Sequence, residues 1–265
     1  MNNFSINLKD GRTFDKICAL YDRSRVDYPD EIIQDIINYS KIPSDAVILD
    51  VGCGTGQATS SFAKKGYFVH AIDASENMIS YAKNKYKDFK NINFEASTFE
   101  DVSLPNNSVD LITSAMAWHW IKPEGRDEKA WMILKDQGTL ALFWSYQLKE
   151  ESDFVKAVSE KVLIKYGGEN RGPAGSRVKH IASDELFVKF SENPSFTSVV
   201  LKEYNKMFIF NKERYVDLVL SYGWVQGLPE EKRKQLVGDL NILFENFDNS
   251  QSIPYQYILL LAKKA

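Results

Sequence analysis

The sequence is poor in the residues that staple, ligate or anchor a protein. It holds two cysteines, Cys18 and Cys53, and three histidines among 265 residues. So few cysteines exclude a disulfide-dense secreted scaffold, and reduced thiols in a cytoplasmic protein are the expectation. His70, His119 and His180 stand apart, with no Cys or carboxylate at zinc-ligand spacing, so no metal is expected. No run approaches the roughly 18 apolar residues that span a bilayer, and the N-terminus shows no basic segment followed by an apolar one. Neither a membrane anchor nor a signal peptide is expected. Charge of one sign is missing too. With 33 Lys and Arg against 36 Asp and Glu, the net charge is -3 and no basic stripe is present, which argues against a nucleic-acid partner. Internal repeats and low-complexity tracts are absent.

What is present is a rhythm. Apolar positions at helical spacing predict two helices within 15–40, split by Pro29. Short aliphatic runs then predict strands at 46–50, 68–73, 92–97, 109–116 and 138–145, with helices between them, one capped by Ser75 and another over 126–135. Such alternation implies right-handed crossovers and a mainly parallel sheet covered on both faces. Beyond Ser145 the pattern changes to an amphipathic helix at 150–166, a Gly- and Pro-rich loop at 167–176, a long strand at 196–210, helices at 212–221 and 229–246, and a closing strand at 253–264. The expected organisation is one domain over 1–265: cap helices in 1–44, an α/β core in 45–146, an insertion carrying a sixth strand in 147–250, and a closing strand in 251–265.

The sharpest feature is LDVGCGTGQAT at 49–59. Asp50 ends the first strand, and Gly52, Gly54 and Gly56 make G-x-G-x-G, which differs from the dinucleotide pattern G-x-G-x-x-G. Glycines there let the backbone turn sharply and approach a ligand closely where a helix begins. Asp50 would repel a phosphate and suit an ammonium or sulfonium group. Asp73 ends the second strand, where a carboxylate can accept from both hydroxyls of a ribose. A nucleoside carrying a cationic group fits both acids; a turn that merely tightens a strand-to-helix connection is the plainer alternative.

The motifs LDVGCGTG, AIDAS around Asp73 and STFEDVSLPNNSVDLITS at 97–114 resemble the class I S-adenosylmethionine-dependent methyltransferases across about 46–145. FDKICALYDRSRVDYP at 14–29 and AMAWHWI at 115–121 are similar to the small-molecule branch that includes the trans-aconitate methyltransferase-like proteins. The resemblance implies a Rossmann-like, seven-stranded, mainly parallel sheet with a reversed last strand. It also implies S-adenosyl-L-methionine as cofactor and S-adenosyl-L-homocysteine as product. Carried over by position, Gly52, Gly54 and neighbouring backbone would meet the methionine part, Asp73 the ribose, Ala74 and Met78 the adenine faces, and Thr98 and Phe99 the adenine edge; Asp50, Cys53 and Ala115 are also expected at the cofactor. Many relatives have Asp where Thr98 stands; a hydroxyl can accept the same hydrogen bond. Met78 has core packing as an equal alternative.

Methyl transfer to an anionic or deprotonated nucleophile mainly requires alignment and desolvation. Past the fourth strand, where open α/β sheets place ligands, His119 is the candidate catalytic base, with a packed structural histidine as the alternative. Trp118 and Trp120 would line an acceptor pocket or form core. Tyr21, Arg25 and Tyr28 form an aromatic and basic cluster: Tyr21 and Arg25 are expected near the cofactor and Tyr28 near the acceptor. Arg25 is also the best clamp for an acceptor carboxylate. Val26 stands where relatives have Pro. Arg126, Arg171 and Arg177 are weaker acceptor ligands, the last two on a loop able to act as a lid. The expected partner is a small-molecule methyl acceptor, with a carboxylate or other oxygen nucleophile as the candidate group, bound by a monomer or homodimer. A cofactor-binding module without turnover is the alternative function.

Overall fold

The computed structural model describes residues 17–168 and 185–265. Arg171, Arg177, His180 and the first residues of the 14–29 segment lie outside them.

Helix α1 (Cys18–Ser24) and helix α2 (Asp30–Ser40) flank Pro29, whose missing N–H and fixed φ suit a helix start. α2 places Asp30 and Glu31 at the positive end of its dipole and buries Ile32, Ile33 and Ile36 along one stripe. It stops at Lys41, in the left-handed region with φ 53°. The alternation follows: β1 (Val47–Val51), α3 (Gln57–Ala63), β2 (Phe68–Asp73), α4 (Glu76–Lys85), β3 (Ile92–Ala96), β4 (Val109–Ala115), α5 (Arg126–Ile133) and β5 (Leu134–Gln147). Ser75 caps α4 as expected, its side chain accepting from the Met78 amide at 3.1 Å. Then come α6 (Asp153–Ala157), α7 (Glu185–Glu192), β6 (Phe196–Asn211), α8 (Lys212–Leu220), α9 (Gly223–Gln226), α10 (Glu230–Phe244) and β7 (Ser250–Lys264).

The strands form one mixed seven-stranded sheet in the order β3-β2-β1-β4-β5-β7-β6, with a reversed last strand. β1 pairs in parallel with β2 and β4, so Asp50 lies opposite Ala71 on one side and Thr113 on the other. Two departures from expectation have local causes. The helix expected through 135 stops at Ile133, and β5 starts at once. Leu134 pairs with Val109 but Thr139 with Leu111, so 135–138 bulges out, with Gln137 at φ 62° and the Lys135 ammonium 2.8 Å from Asp110. The single helix expected over 150–166 is broken into a 3₁₀ turn, α6, a π segment (Val158–Val162) and a second 3₁₀ turn (Leu163–Tyr166). β-Branched Val158 and Val162 are weak helix formers, and the wider π turn buries both together with Leu163.

The chain divides into two compact units. Of the described residues, the first unit holds 27–144, 185–203 and 258–265, and the second holds 17–26, 145–168 and 204–257. The first is built on buried Ile48, Leu49, Phe62, Leu111 and Ile112. In the second, the Phe154 ring lies 4.7 Å from Phe244 and 4.8 Å from Tyr215, enclosed with Leu218, Leu236 and Leu240.

Candidate functional site

The glycine turn joins β1 to α3 inside the first unit. Gly52, Gly54 and Gly56 have φ of 71°, 53° and 82°, a region that L side chains enter at a cost. The Gly52 and Cys53 amides donate to the Ile72 carbonyl at 2.8 and 3.0 Å, tying the turn to β2. The Gly54 amide donates to one oxygen of Asp73 at 2.8 Å, and the Ser75 amide to the other at 2.9 Å. Asp73 therefore bridges the turns that follow β1 and β2. The three glycines have different surroundings. A Cβ on Gly52 would lie 2.3 Å from the Ala117 Cβ, and one on Gly56 2.7 Å from the Tyr86 ring, whereas around Gly54 no atom lies within 4 Å. Gly54 is the open side of the cradle.

Asp50 is fully buried beneath this turn. Its Oδ2 accepts from the Thr59 hydroxyl at 2.5 Å and its Oδ1 has no hydrogen-bond partner. Burial raises its pKa to about 7, with Asp73 adding to the effect and Thr59 opposing it. Cys53 is buried alongside, and burial together with both acids pushes its thiol well above its ordinary value. It is a packed thiol and not a nucleophile.

After β4 the chain turns at Met116, a non-glycine residue at φ 58°, and enters a 3₁₀ turn (Trp118–Trp120). Backbone strain of this kind persists only where the surroundings enforce it. The Met116 amide donates to the Phe143 carbonyl at 2.9 Å, and buried Arg126 donates to the Trp118 carbonyl at 3.1 Å. Arg126 also donates to Asp127 at 2.9 Å, and Asp127 takes Lys189 on its other oxygen. This network holds up the turn from beneath. His119 stands exposed on it, its ring centroid 5.0 Å from that of Trp120. Protein atoms crowding the imidazole, and then the Arg126 charge, lower its pKa. At neutral pH it is uncharged.

Several expected roles are corrected by these positions. Trp118 was expected to line an acceptor pocket, but it is fully buried, with its ring 5.5 Å from that of Phe99. Arg126 was expected to bind acceptor, but its guanidinium is engaged by Asp127 and Trp118. Asp50 presents no exposed face to a ligand. Met78 and Phe99 are 3% exposed, which favours packing over direct contact. The Thr98 hydroxyl donates to Asp101 at 2.7 Å and accepts from the Asp101 amide at 3.1 Å, so it is held in a local turn. Gly52, Gly54, Asp73, Ala74 and Ala115 remain partly exposed in the same unit, as does Trp120. Tyr28 is half-buried there, edge-on to Phe143 at 4.8 Å. Tyr21 and Arg25 fall in the second unit. Ala117, Met116 and the Asp127–Lys189 pair were not singled out from the sequence. An acid next to Arg126 was a signal for the pair; the contact of Ala117 with Gly52 had none. Among the described residues no group of three or more His, Cys, Asp or Glu is disposed to hold a metal, and no helix is long and apolar enough to cross a membrane.

Residues 48–138 match the model of a methyltransferase domain family. Over 155 residues the chain is 37% identical to a probable S-adenosylmethionine-dependent methyltransferase, CRG1, of Saccharomyces cerevisiae, covering 56% of this chain and 51% of that one. It thus spans about half the length of that relative. An uncharacterized methyltransferase of Schizosaccharomyces pombe, C25B8.09, is 25% identical over 244 residues, 91% of each chain. Among solved structures, a putative type II methyltransferase from Anaeromyxobacter dehalogenans aligns with a TM-score of 0.61 at 16% identity, covering 91% of this chain and 97% of that one. Phosphoethanolamine N-methyltransferase 2 of Haemonchus contortus, in complex with S-adenosyl-L-methionine, aligns with a TM-score of 0.57 at 14% identity over 100% of this chain and 60% of that one. These matches place a methyltransferase domain at 48–138 and support S-adenosylmethionine-dependent methyltransferase activity. Its cofactor is S-adenosylmethionine. The residues present fit that cofactor: Gly54 leaves the cradle open, Asp73 supplies carboxylate oxygens at the end of β2, and the buried acid Asp50 lies beneath the turn.

Proposed function

We propose that the protein methylates an oxygen nucleophile of a small-molecule acceptor by direct in-line displacement. The observation that carries this reading is the contact of Gly52 with Ala117, which sets the turn bearing His119 directly against the glycine cradle. S-adenosylmethionine supplies an electrophilic methyl group on a positively charged sulfur. The protein's part is to hold, align and exclude water.

In this reading Gly52 and Gly54 present backbone to the methionine part and Asp73 accepts from the ribose. Each Asp73 oxygen has two lone-pair sites, so one that takes a backbone amide can take a hydroxyl as well. Ala74 borders the adenine. His119, uncharged and exposed on a braced turn, accepts the proton of a hydroxyl acceptor or orients a carboxylate that needs no base. Trp120 and Tyr28 border the acceptor. Placement in the branch that includes trans-aconitate methyltransferase-like proteins belongs to the same proposal and rests on the segments 14–29 and 115–121. The test is a screen of small carboxylic acids, phenols and amines for release of S-adenosylhomocysteine. Release with acids or phenols is expected; release with amines alone would overturn the oxygen acceptor.

A further inference from the structure

The second unit contains two arginines that no carboxylate among the described residues neutralises. Among the described residues neither Arg25 nor Arg214 forms an ion pair, while nearby Arg23 takes Asp217 at 2.7 Å. Arg25 Nη2 donates only to the Ser221 carbonyl, at a long 3.3 Å, and Arg214 Nη2 only to the Arg25 carbonyl, also at 3.3 Å. The Nε of each is buried with no acceptor. A buried guanidinium donor left unmatched is costly, and native folds keep few such groups without a reason. Both side chains as a whole are half-buried and so remain accessible.

Their surroundings are aromatic and hydroxylated. The Arg25 guanidinium carbon lies 4.7 Å from the Tyr21 ring and 5.0 Å from the Tyr222 ring, and that of Arg214 lies 4.7 Å from the Phe210 ring. Gln147 donates to the Tyr255 hydroxyl at 2.7 Å. The Tyr255 ring stacks on that of Phe210, over which Arg214 lies, with centroids 6.1 Å apart, and burial lifts the Tyr255 hydroxyl to about 12. Tyr222 is likewise lifted by burial and pulled back by Arg25. Both phenols stay protonated at neutral pH and can donate.

We propose that Arg25 and Arg214, with the Tyr222 and Tyr255 hydroxyls, form an anion site within the second unit that takes the carboxylate of a small organic acid. Planar guanidinium forks match a carboxylate bidentately, and the aromatic rings beneath them favour an organic ligand over an inorganic one. The site lies wholly within the second unit and names Arg214 as a ligand the sequence did not suggest. Its occupancy needs no cofactor.

The full chain is titrated calorimetrically with benzoate, with succinate and with inorganic phosphate, without cofactor. One-to-one binding of at least one carboxylate is expected, weakened tenfold or more by Arg214→Gln and several-fold by Tyr222→Phe. Thermal melts of both variants establish that they fold. Undiminished carboxylate binding in Arg214→Gln, or binding of phosphate but of neither carboxylate, would overturn the proposal. S-adenosylhomocysteine is titrated into the same preparations, and an unchanged affinity in Arg214→Gln is expected. Failure of that ligand to bind the unmodified protein would sink the methyltransferase reading while leaving the anion site standing.

Discussion

Replacing Gly52 by alanine tests the geometry that joins cofactor cradle to acceptor turn. Two costs arise together. A side chain at φ 71° enters the left-handed region, worth about 1–2 kcal/mol. The new Cβ would also lie 2.3 Å from the Ala117 Cβ, an overlap that only backbone movement relieves, and overpacking of this kind costs about 1–3 kcal/mol. The expected loss of about 2–5 kcal/mol is a large part of the roughly 5–15 kcal/mol that holds a domain together. Urea denaturation reads it as a fall in midpoint at constant slope. The double variant Gly52→Ala/Ala117→Gly removes the overlap but keeps the dihedral cost, so it should recover about 1–3 kcal/mol relative to Gly52→Ala. Gly54→Ala, with φ 53° and open space around it, should lose only the dihedral part while weakening cofactor binding. A Gly52→Ala protein as stable as the original, or a double variant no more stable than the single one, would refute the close approach.

Asp50 predicts a pH dependence. Its folded pKa of about 7 lies above the ordinary 3.8, so the folded state binds the proton more tightly. Stability from this group is complete below about pH 4 and is lost as the pH rises to about 7, by roughly 4 kcal/mol. Asp50→Asn should flatten that slope; an identical slope in both proteins would show the group ionised throughout. Asp73→Ala should weaken cofactor binding by about 1.5–3 kcal/mol, the scale of hydrogen bonds to a charged group, and an unchanged dissociation constant in a folded variant would remove Asp73 from the site. His119→Gln should lower kcat on a hydroxyl acceptor while leaving cofactor affinity within twofold; an equal loss in both would mark His119 as structural. Because crowding by the protein lowers the His119 pKa, the acid limb of kcat/KM should lie below 6.5, and a limb above it would contradict the uncharged imidazole.

The parts of the fold set by local pattern were legible in the sequence. The runs at 68–73 and 253–264 became strands because their aliphatic residues are buried in the sheet, and Ser75 capped its helix because its hydroxyl reaches an otherwise unmatched amide. Less legible was whatever depends on contacts between distant segments. Trp118 and Arg126 look like ligands in sequence, yet one is enclosed against Phe99 and the other engaged by Asp127, and only packing decides this. The glycine spacing pointed to close approach without distinguishing Gly52, pressed on Ala117, from Gly54, which faces open space. Arg214 carried no signal because its lack of a carboxylate partner among the described residues is a property of the fold and not of any motif.

The most direct test of the whole account is calorimetry of S-adenosylmethionine and S-adenosylhomocysteine on the full chain, in parallel with Asp73→Ala. One-to-one binding of both ligands by the unmodified protein is expected, weakened at least tenfold in the variant. No binding of either ligand, or equal binding by both proteins, would contradict it.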